Sequence, residues 1–499
     1  MSNSFYARLR RRFQGPVSVE SRRRFLQATL AATAGVFLSD QFAGEARGQA
    51  QGAKRVVVVG AGFSGLACAY ELITAGYKVT VVEARPRLGG RVLTFKDMVD
   101  KKWCEGGGEL IGSNHPMWVK YAEKFELKFI DVTDDESLAY PVHLMGKLRS
   151  DEEVEKIYEN MEASFTSLND QAEKIDADQP WTSEGAMALD KQSIGDWIKS
   201  LKLEDEIGAL SRAAIDIQLA SDNAVDNAQA SLLGMLTAIK GGGGQAYWDD
   251  SEVYRCEGGN QQLALRLAEM IGADRIRLKL PVSEIKLDAN GVLVTCADGR
   301  TIEADDVVLA TPPSVWDRIK FSPELPANIR TQMGVACKYL STVKKRFWLD
   351  TKNSQYSLTD GDVSQTWEGT DNQPEDPANA LFVAFSGGSQ AKRCLAREGE
   401  AADAAYKAEL LKTYPAYAEN LVKTRFMTWP KEEWTKAGYS FPAPGQVTSI
   451  GPTYYKGLGR LHFAGEHTCY KFVGYMEGAL NSGASLALRL AKRDGVAKG

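Results

Sequence analysis

The stretch Lys54 to Glu83, KRVVVVGAGFSGLACAYELITAGYKVTVVE, restricts what this chain can fold into more than any other segment. Arg55 to Val59 is a continuous β-branched run, the pattern of a strand buried on both faces, and it runs directly into Gly60-x-Gly62-x-x-Gly65. Gly60 permits the tight turn out of the strand, Gly62 lets the backbone approach a pyrophosphate, and Gly65 lets the next helix pack close to the sheet. The spacing predicts that helix over roughly Ser64 to Ala75, with the N–H groups of its first turn, around Phe63 and Ser64, aimed at phosphate. Gly76 stops it, and a second strand over Tyr77 to Val82 ends in Glu83, a carboxylate placed to accept both hydroxyls of an adenosine ribose. The unit is that of an adenine dinucleotide site. An acid at position 83 disfavours a 2′-phosphate and so disfavours NADP.

A second glycine and arginine loop follows, Arg85-Pro-Arg87-Leu-Gly89-Gly90-Arg91, able to wrap the same pyrophosphate with backbone N–H groups and a guanidinium. Simple NAD dehydrogenases lack such a loop. With it the chain resembles the flavin-containing amine oxidase superfamily, which includes monoamine, polyamine and L-amino acid oxidases. The resemblance continues through Glu105-Gly-Gly107-Gly108-Glu109-Leu110-Ile-Gly112, Glu257-Gly258-Gly259-x-x-x-Leu263, Pro281 to Ile285, Val307 to Pro313 and the Trp429 to Tyr439 stretch. It closes with Phe463-Ala-Gly465-Glu466 and Gly474-Tyr475-Met476-Glu477-Gly478-Ala479.

The resemblance implies FAD, with contacts from Gly60, Gly62, Phe63, Ser64, Gly65, Glu83, Ala84, Arg85, Gly89, Gly90 and Arg91 in the first two loops. Further contacts would come from Gly107, Gly108, Glu109, Leu110, Val282, Trp434, Gly465, Glu466, Gly474, Tyr475, Met476 and Ala479. It places the Met476 N–H at the flavin N1–C2=O edge, where a helix N-terminus would stabilise developing negative charge, and makes Glu466 a ribityl or phosphate-region contact. Tyr439 and Tyr475 resemble the aromatic pair that flanks the substrate amine, and Lys338 the lysine that holds a water against flavin N5. Such an ammonium in an apolar strand needs a partner, which flavin and water would supply. Glu109 stands where many L-amino acid oxidases carry a carboxylate-binding arginine shortly after the turn. It would either favour an amine over an amino acid through its charge or brace the turn by hydrogen bonds. The family's covalent attachment cysteine, immediately before the first tyrosine of the pair, is replaced by Gly438, so the FAD is expected to be non-covalent.

Composition narrows the alternatives. With 44% hydrophobic and 25% charged residues the chain can bury a large core, and a net charge of −5 makes nucleic acid an improbable partner. The seven cysteines are scattered singly, and four histidines without an HExxH pattern leave metal and hydrolase chemistry little material. No apolar run reaches the roughly 20 residues of a membrane span. Ser21-Arg22-Arg23-Arg24-Phe25-Leu26, followed by a small-residue stretch, matches the twin-arginine export pattern, so residues 1–50 read as a leader and the protein as periplasmic or otherwise exported, folded with its cofactor beforehand.

Because the motifs lie at both ends, the cofactor domain must be discontinuous. The expected architecture is α/β: a Rossmann-type FAD domain from 51–113, 248–325 and 446–499, and an α+β substrate domain, a mixed sheet with a helical insertion, from 114–247 and 326–445. Gly241 to Gly244 reads as a hinge or boundary, and Asp350 to Pro377, polar with Gly, Asn and Asp, as a surface excursion. The reaction implied is oxidation of a primary or secondary amine to an imine, with oxygen or another electron acceptor, and a homodimer is conceivable. An L-amino acid oxidase or dehydrogenase, a carotenoid-type desaturase, or a non-enzymatic flavin protein are the alternatives. Acid precipitation should release intact FAD into the supernatant, since Gly438 leaves no thiol for attachment at that position; flavin retained in the pellet would refute non-covalent binding.

Overall fold

The computed structural model describes residues 5–15, 53–133, 138–374 and 378–497. The twin-arginine pair and the small-residue stretch after it lie outside those residues.

The dinucleotide unit forms as expected: strand Arg55–Val59, helix Phe63–Thr74 and strand Lys78–Val82. They nucleate a parallel five-stranded sheet in the order Leu461–Phe463, Asp306–Leu309, Arg55–Val59, Lys78–Val82, Ile276–Arg277. The unbroken valine run has a direct cause. Val56 and Val58 pack into one hydrophobic cluster and Val57 and Val59 into another, so neither face of the strand can be polar. The helix Met476–Arg493 lies against Phe63–Thr74 so closely that a Cβ at Gly483 would run into the Ser64 carbonyl oxygen. A four-stranded sheet, Thr301–Ala304, Val292–Cys296, Val282–Leu287 and Lys320–Ser322, is appended, its hairpin turned at Gly299 (φ +85°) as the Asp-Gly signal requires.

The substrate domain is built on a seven-stranded sheet with strand order Leu421–Met427, Ala336–Val343, Ala380–Gly387, Gln365–Glu368, Ser357–Thr359, Val142–Leu144, Lys147–Leu148. Helices Asp151–Ala172, Glu206–Asn223 and Leu232–Gly241 supply the helical insertion, the first started by a Ser150–Glu153 capping box.

Four expectations need correction. Asp350 to Pro377 is no surface excursion: it contributes two strands of three and four residues, all buried, too short for their alternation to stand out in the sequence. The Gly241–Gly244 run is a packed corner, not a hinge. Gly243 and Gly244 take φ of +91° and +66° to turn the chain, and Lys471 blocks any side chain at Gly241. The domain crossing also comes later than residue 114, because helix Pro116–Lys124 buries Met117, Trp118 and Tyr121 in the nucleotide-domain core and Phe129–Asp131 pairs with Tyr254–Cys256.

The fourth concerns the amino terminus. Residues Phe5–Gln14, expected within the leader, form a helix with Tyr6, Arg8 and Leu9 fully buried in the substrate-domain core. Tyr6 donates to Glu162, and its ring packs edge-on against Phe165 and Trp248. The Arg8 guanidinium stacks 3.6 Å over the Tyr356 ring and donates to the Val132 carbonyl, while Arg10 pairs with Asp249. Such a face is that of a core helix.

Candidate active site

One continuous cavity, about 1650 Å³ of non-atom space with its mouth included, begins at the glycine turn and ends between the tyrosines. Gly60, Gly62, Phe63 and Ser64 form one wall, Gly89, Gly90 and Arg91 the facing one, and a Cβ at Gly60 would sit 2.9 Å from the Ala310 carbonyl oxygen. Gly65 does not touch the cavity. A side chain there would strike the Gly60 carbonyl, so it sets the helix–strand contact, the role the motif assigns it. Glu83 borders the cavity at the end of its strand, its carboxylate accepting from the N–H groups of Ala61 and Arg85, both at 2.8 Å. Ala84, Arg85, Leu110, Val282 and Trp434 line the same space, with Arg85 paired to Glu432 and Trp434 stacked by Arg318.

Two helices begin at this cavity with no side-chain cap: Phe63–Thr74 at Gly62 and Met476–Arg493 at Tyr475. Their first-turn N–H groups suit anionic ligand atoms, the first a pyrophosphate and the second an electron-rich ring edge. Gly474, Met476 and Ala479 line the second opening, and the Gly107–Gly108 turn abuts it, since a Cβ at Gly108 would lie 2.9 Å from Met476 Cγ. The residues present fit FAD. Gly465 and Glu466 also line the cavity, but Glu466 acts chiefly as a fastener. Its carboxylate accepts from Arg91, from the Ser440 N–H and hydroxyl, and from the Gly474 N–H, tying four segments together. Burial alone would raise its carboxyl, but Arg91 and these donors hold it below the usual range.

At the far end lie Lys338, Glu109, Tyr439 and Tyr475. Lys338 comes from the fully buried strand Ala336–Val343. Its Nζ donates to Glu109 Oε2 at 2.6 Å and to the Gly107 carbonyl at 2.9 Å, so the partner it needs is protein as well as any ligand. Glu109 Oε1 accepts from Arg255 Nε at 3.0 Å and from Trp367 Nε1 at 2.9 Å. Burial would push the Glu109 carboxyl up, yet Lys338 and Arg255 outweigh it and bring it down to about 2. The expectation that Glu109 shows a net negative charge to substrate therefore fails, because two cations neutralise it inside the protein. Its bracing role stands. Arg255 was invisible as a site residue in the sequence; it also pairs with Asp371 and donates to the Glu368 carbonyl.

The tyrosines stand as expected on the cavity wall, Tyr439 beside Gly474, whose Cβ would meet the Tyr439 ring at 3.1 Å. Tyr439 donates to the Asp222 carbonyl at 3.0 Å, and the Tyr475 hydroxyl is 3.5 Å from Glu252 Oε1. Burial, with the charges of Asp222 and Glu252, raises both phenols well above their ordinary value, so both stay neutral hydroxyls. Gly438 holds the position before Tyr439, with Ala336 packed 3.2 Å from where its Cβ would be. Glu252 and Phe385 complete this end and were not anticipated.

A profile described as flavin containing amine oxidoreductase matches residues 63–491, and one described as pyridine nucleotide-disulphide oxidoreductase matches residues 21–104. The chain belongs to the flavin-containing amine oxidoreductase family. It is 27% identical over 452 residues to a probable flavin-containing monoamine oxidase A of Dictyostelium discoideum, covering 86% of this chain and 95% of that protein. To an L-amino acid dehydrogenase of Synechocystis it is 26% identical, covering 86% and 93%. Among solved structures, cyclohexylamine oxidase from Brevibacterium oxydans IH-35A superposes with a TM-score of 0.77 at 26% identity over 89% of this chain and all of that one. A triple mutant of putrescine oxidase gives 0.78 at 25%, covering 88% and 99%. The protein is thus an FAD-dependent amine oxidase of this family, and the desaturase and non-enzymatic alternatives fall away. FAD, when bound, accepts the hydride equivalent of an amine's C–H bond. The chain's own part includes holding Lys338 at a fixed position through Glu109 and the Gly107 carbonyl, with Tyr439 and Tyr475 on the cavity wall beside it.

Removing the Glu109 charge should leave Lys338 and Arg255 as neighbouring buried cations. Glu109→Gln is expected to lower unfolding free energy by about 3 kcal/mol, read by denaturant titration of the FAD-loaded protein; unchanged stability would show that the pair contributes nothing. The same carboxyl sets an acid dependence. Since its folded pKa is depressed to about 2, its contribution is present above its unfolded value and fades as pH falls below that range.

Proposed function

We propose that the substrate is a primary or secondary amine rather than an α-amino acid, oxidised to an imine that water hydrolyses, with oxygen or another acceptor taking the electrons. The supporting observation is the charge around the tyrosine pair. The Lys338–Glu109 ion pair is neutral as a unit, and the Arg255 guanidinium is committed to Glu109, Asp371 and a carbonyl. Glu252 adds an acidic side chain on the cavity wall, its carboxyl raised well above the ordinary range chiefly by burial. A substrate carboxylate entering here would meet an acid, without an arginine to receive it among those described around the tyrosines. Anaerobic mixing with paired substrates tests this: amines such as tryptamine should reduce the flavin at least about 100-fold more efficiently than their α-carboxylated counterparts, the equivalent of about 2.7 kcal/mol. Faster reduction by free L-amino acids would overturn it and favour the L-amino acid oxidase or dehydrogenase reading.

The same proposal includes export through the twin-arginine machinery and assembly as a homodimer. Arg22-Arg23 ahead of Phe25-Leu26 supports export. The buried helix Phe5–Gln14 supports a form of it in which residues 5–14 stay with the folded protein, because removing them would uncover the rings of Phe165 and Trp248. Replacing Arg22 and Arg23 by Lys should hold activity in the cytoplasm, and the intact mass of the exported wild type should include the amino-terminal helix. Export of the double variant, or a mature mass that begins near residue 50, would refute the respective halves; the native mass of the same sample decides the dimer.

A further inference from the structure

The fold brings together two thiols that the amine-oxidising arrangement does not use, Cys337 and Cys394. Cys337 lies in the strand Ala336–Val343 directly opposite Ser386 of the strand Ala380–Gly387, so the two side chains leave the sheet on the same face. Cys394 comes from the helix Gly388–Leu395 that follows the second strand, and its Sγ is 3.7 Å from Ser386 Oγ and 3.5 Å from the Asp362 carbonyl oxygen. The two thiols are in hydrogen-bond contact with each other. Tyr406, from the helix Gly399–Thr413, places its hydroxyl 3.1 Å from Cys337 Sγ and 2.8 Å from Ser386 Oγ. Both cysteines are buried, in the hydrophobic cluster that holds Tyr339 and Tyr406, while Ala336 and Leu340 belong to the cluster on the other face of the strand. Lys338 alternates with Cys337, so the thiol pair lies one strand's thickness from the cavity, which Cys337 itself borders.

A cysteine that only fills an apolar core stays a thiol, and burial raises Cys68, Cys104, Cys256, Cys296 and Cys469 accordingly. The pair differs. Cys394 is brought down to about 7 by its hydrogen bond with Cys337, with Tyr406 and Ser386 acting in the same direction against burial, and Cys337 is raised in return. The Asp362 carboxylate, which opposes ionisation of Cys394, is matched by Arg393 and Arg397. A thiolate beside a thiol is the arrangement in which one sulfur attacks an oxidant and the other resolves the product. Two sulfurs in contact between a strand and the helix beside it also meet the first requirement of a disulfide, that the side chains point at one another.

We propose that Cys337 and Cys394 are a peroxide-responsive dithiol, which hydrogen peroxide converts to a disulfide that fastens the strand carrying Lys338 to the helix Gly388–Leu395. The Cys394 thiolate attacks one oxygen of the peroxide and the O–O bond breaks; with one proton taken up, water leaves and a sulfenic acid remains on Cys394. The Cys337 sulfur then attacks the sulfenyl sulfur, the S–O bond breaks, and the departing hydroxide takes the Cys337 proton to leave as a second water. The thiols lose two electrons and the peroxide gains them. The source of the peroxide rests on the amine-oxidation reading with oxygen as acceptor, whereas the response of the pair to peroxide does not.

The test uses FAD-loaded full-length protein, reduced and then freed of reductant, in two arms: added hydrogen peroxide, and turnover of an amine in air. Added peroxide should lower the thiols titratable in the unfolded chain from seven to five and the intact mass by about 2 Da, with the Cys337 and Cys394 peptides linked and the change reversed by dithiothreitol. In Cys337→Ser, Cys394 should stop at the sulfenic acid and be captured by dimedone, while in Cys394→Ser the Cys337 thiol should stay unlabelled at the same dose. Seven thiols in the wild type after peroxide, or a linkage between other cysteines, overturns the proposal, and this arm decides on its own if either variant fails to fold. Equal labelling of the two single variants overturns Cys394 as the attacking sulfur. A disulfide formed with added peroxide but not during amine turnover supports the pair and overturns oxygen as the acceptor. A disulfide in neither arm, with the flavin reduced by amine, overturns the pair and leaves amine oxidation intact.

Discussion

One carboxylate between two buried cations holds the two halves of this protein in register. Glu109 follows the glycine turn of the nucleotide domain, Arg255 rises from a strand beside it, and Lys338 reaches across from the substrate-domain sheet. None of the three tolerates burial alone, and together they satisfy one another with hydrogen bonds to Trp367 and to the carbonyls of Gly107 and Glu368. The geometry of the cavity follows from this join. The lysine ends at the Gly107–Gly108 turn, the turn touches Met476, and Met476 opens the helix that closes the site.

The nucleotide half was legible in the sequence because its determinants are local. Strand, glycines, helix and Glu83 fall within about thirty residues, and two of the glycines, Gly60 and Gly65, answer to nearby backbone atoms that block a Cβ there. The aromatic pair and Lys338 were legible only through resemblance, since nothing in the spacing of 338, 439 and 475 requires them to meet. What the sequence hid was pairing across long separations. Arg255 looks like an ordinary strand residue until Glu109 and Asp371 are placed on either side of it. The strands at 357–359 and 365–368 hid for a related reason: they are short and polar, and their burial comes from neighbours in the sheet rather than from their own pattern. Glu252 stood out in no sequence pattern, and only its approach to the Tyr475 hydroxyl, at 3.5 Å, shows it on the cavity wall.

The correction at Glu109 also shifts where selectivity can reside. A carboxylate whose charge is cancelled within the protein shapes the site without sorting substrates by charge. Glu109, Arg255 and Lys338 are fixed by the need to satisfy one another and to keep the glycine turn in place.

The helix Phe5–Gln14 has a consequence for the order in which the molecule assembles. Its contacts come from Val132, Glu162, Gln218, Asp249 and Tyr356, all far from it along the chain. They close loops that run from 124 residues, at Val132, to 348 residues, at Tyr356. Every one of these contacts is therefore long-range, and the full set exists only in a substrate domain that has already formed around the helix.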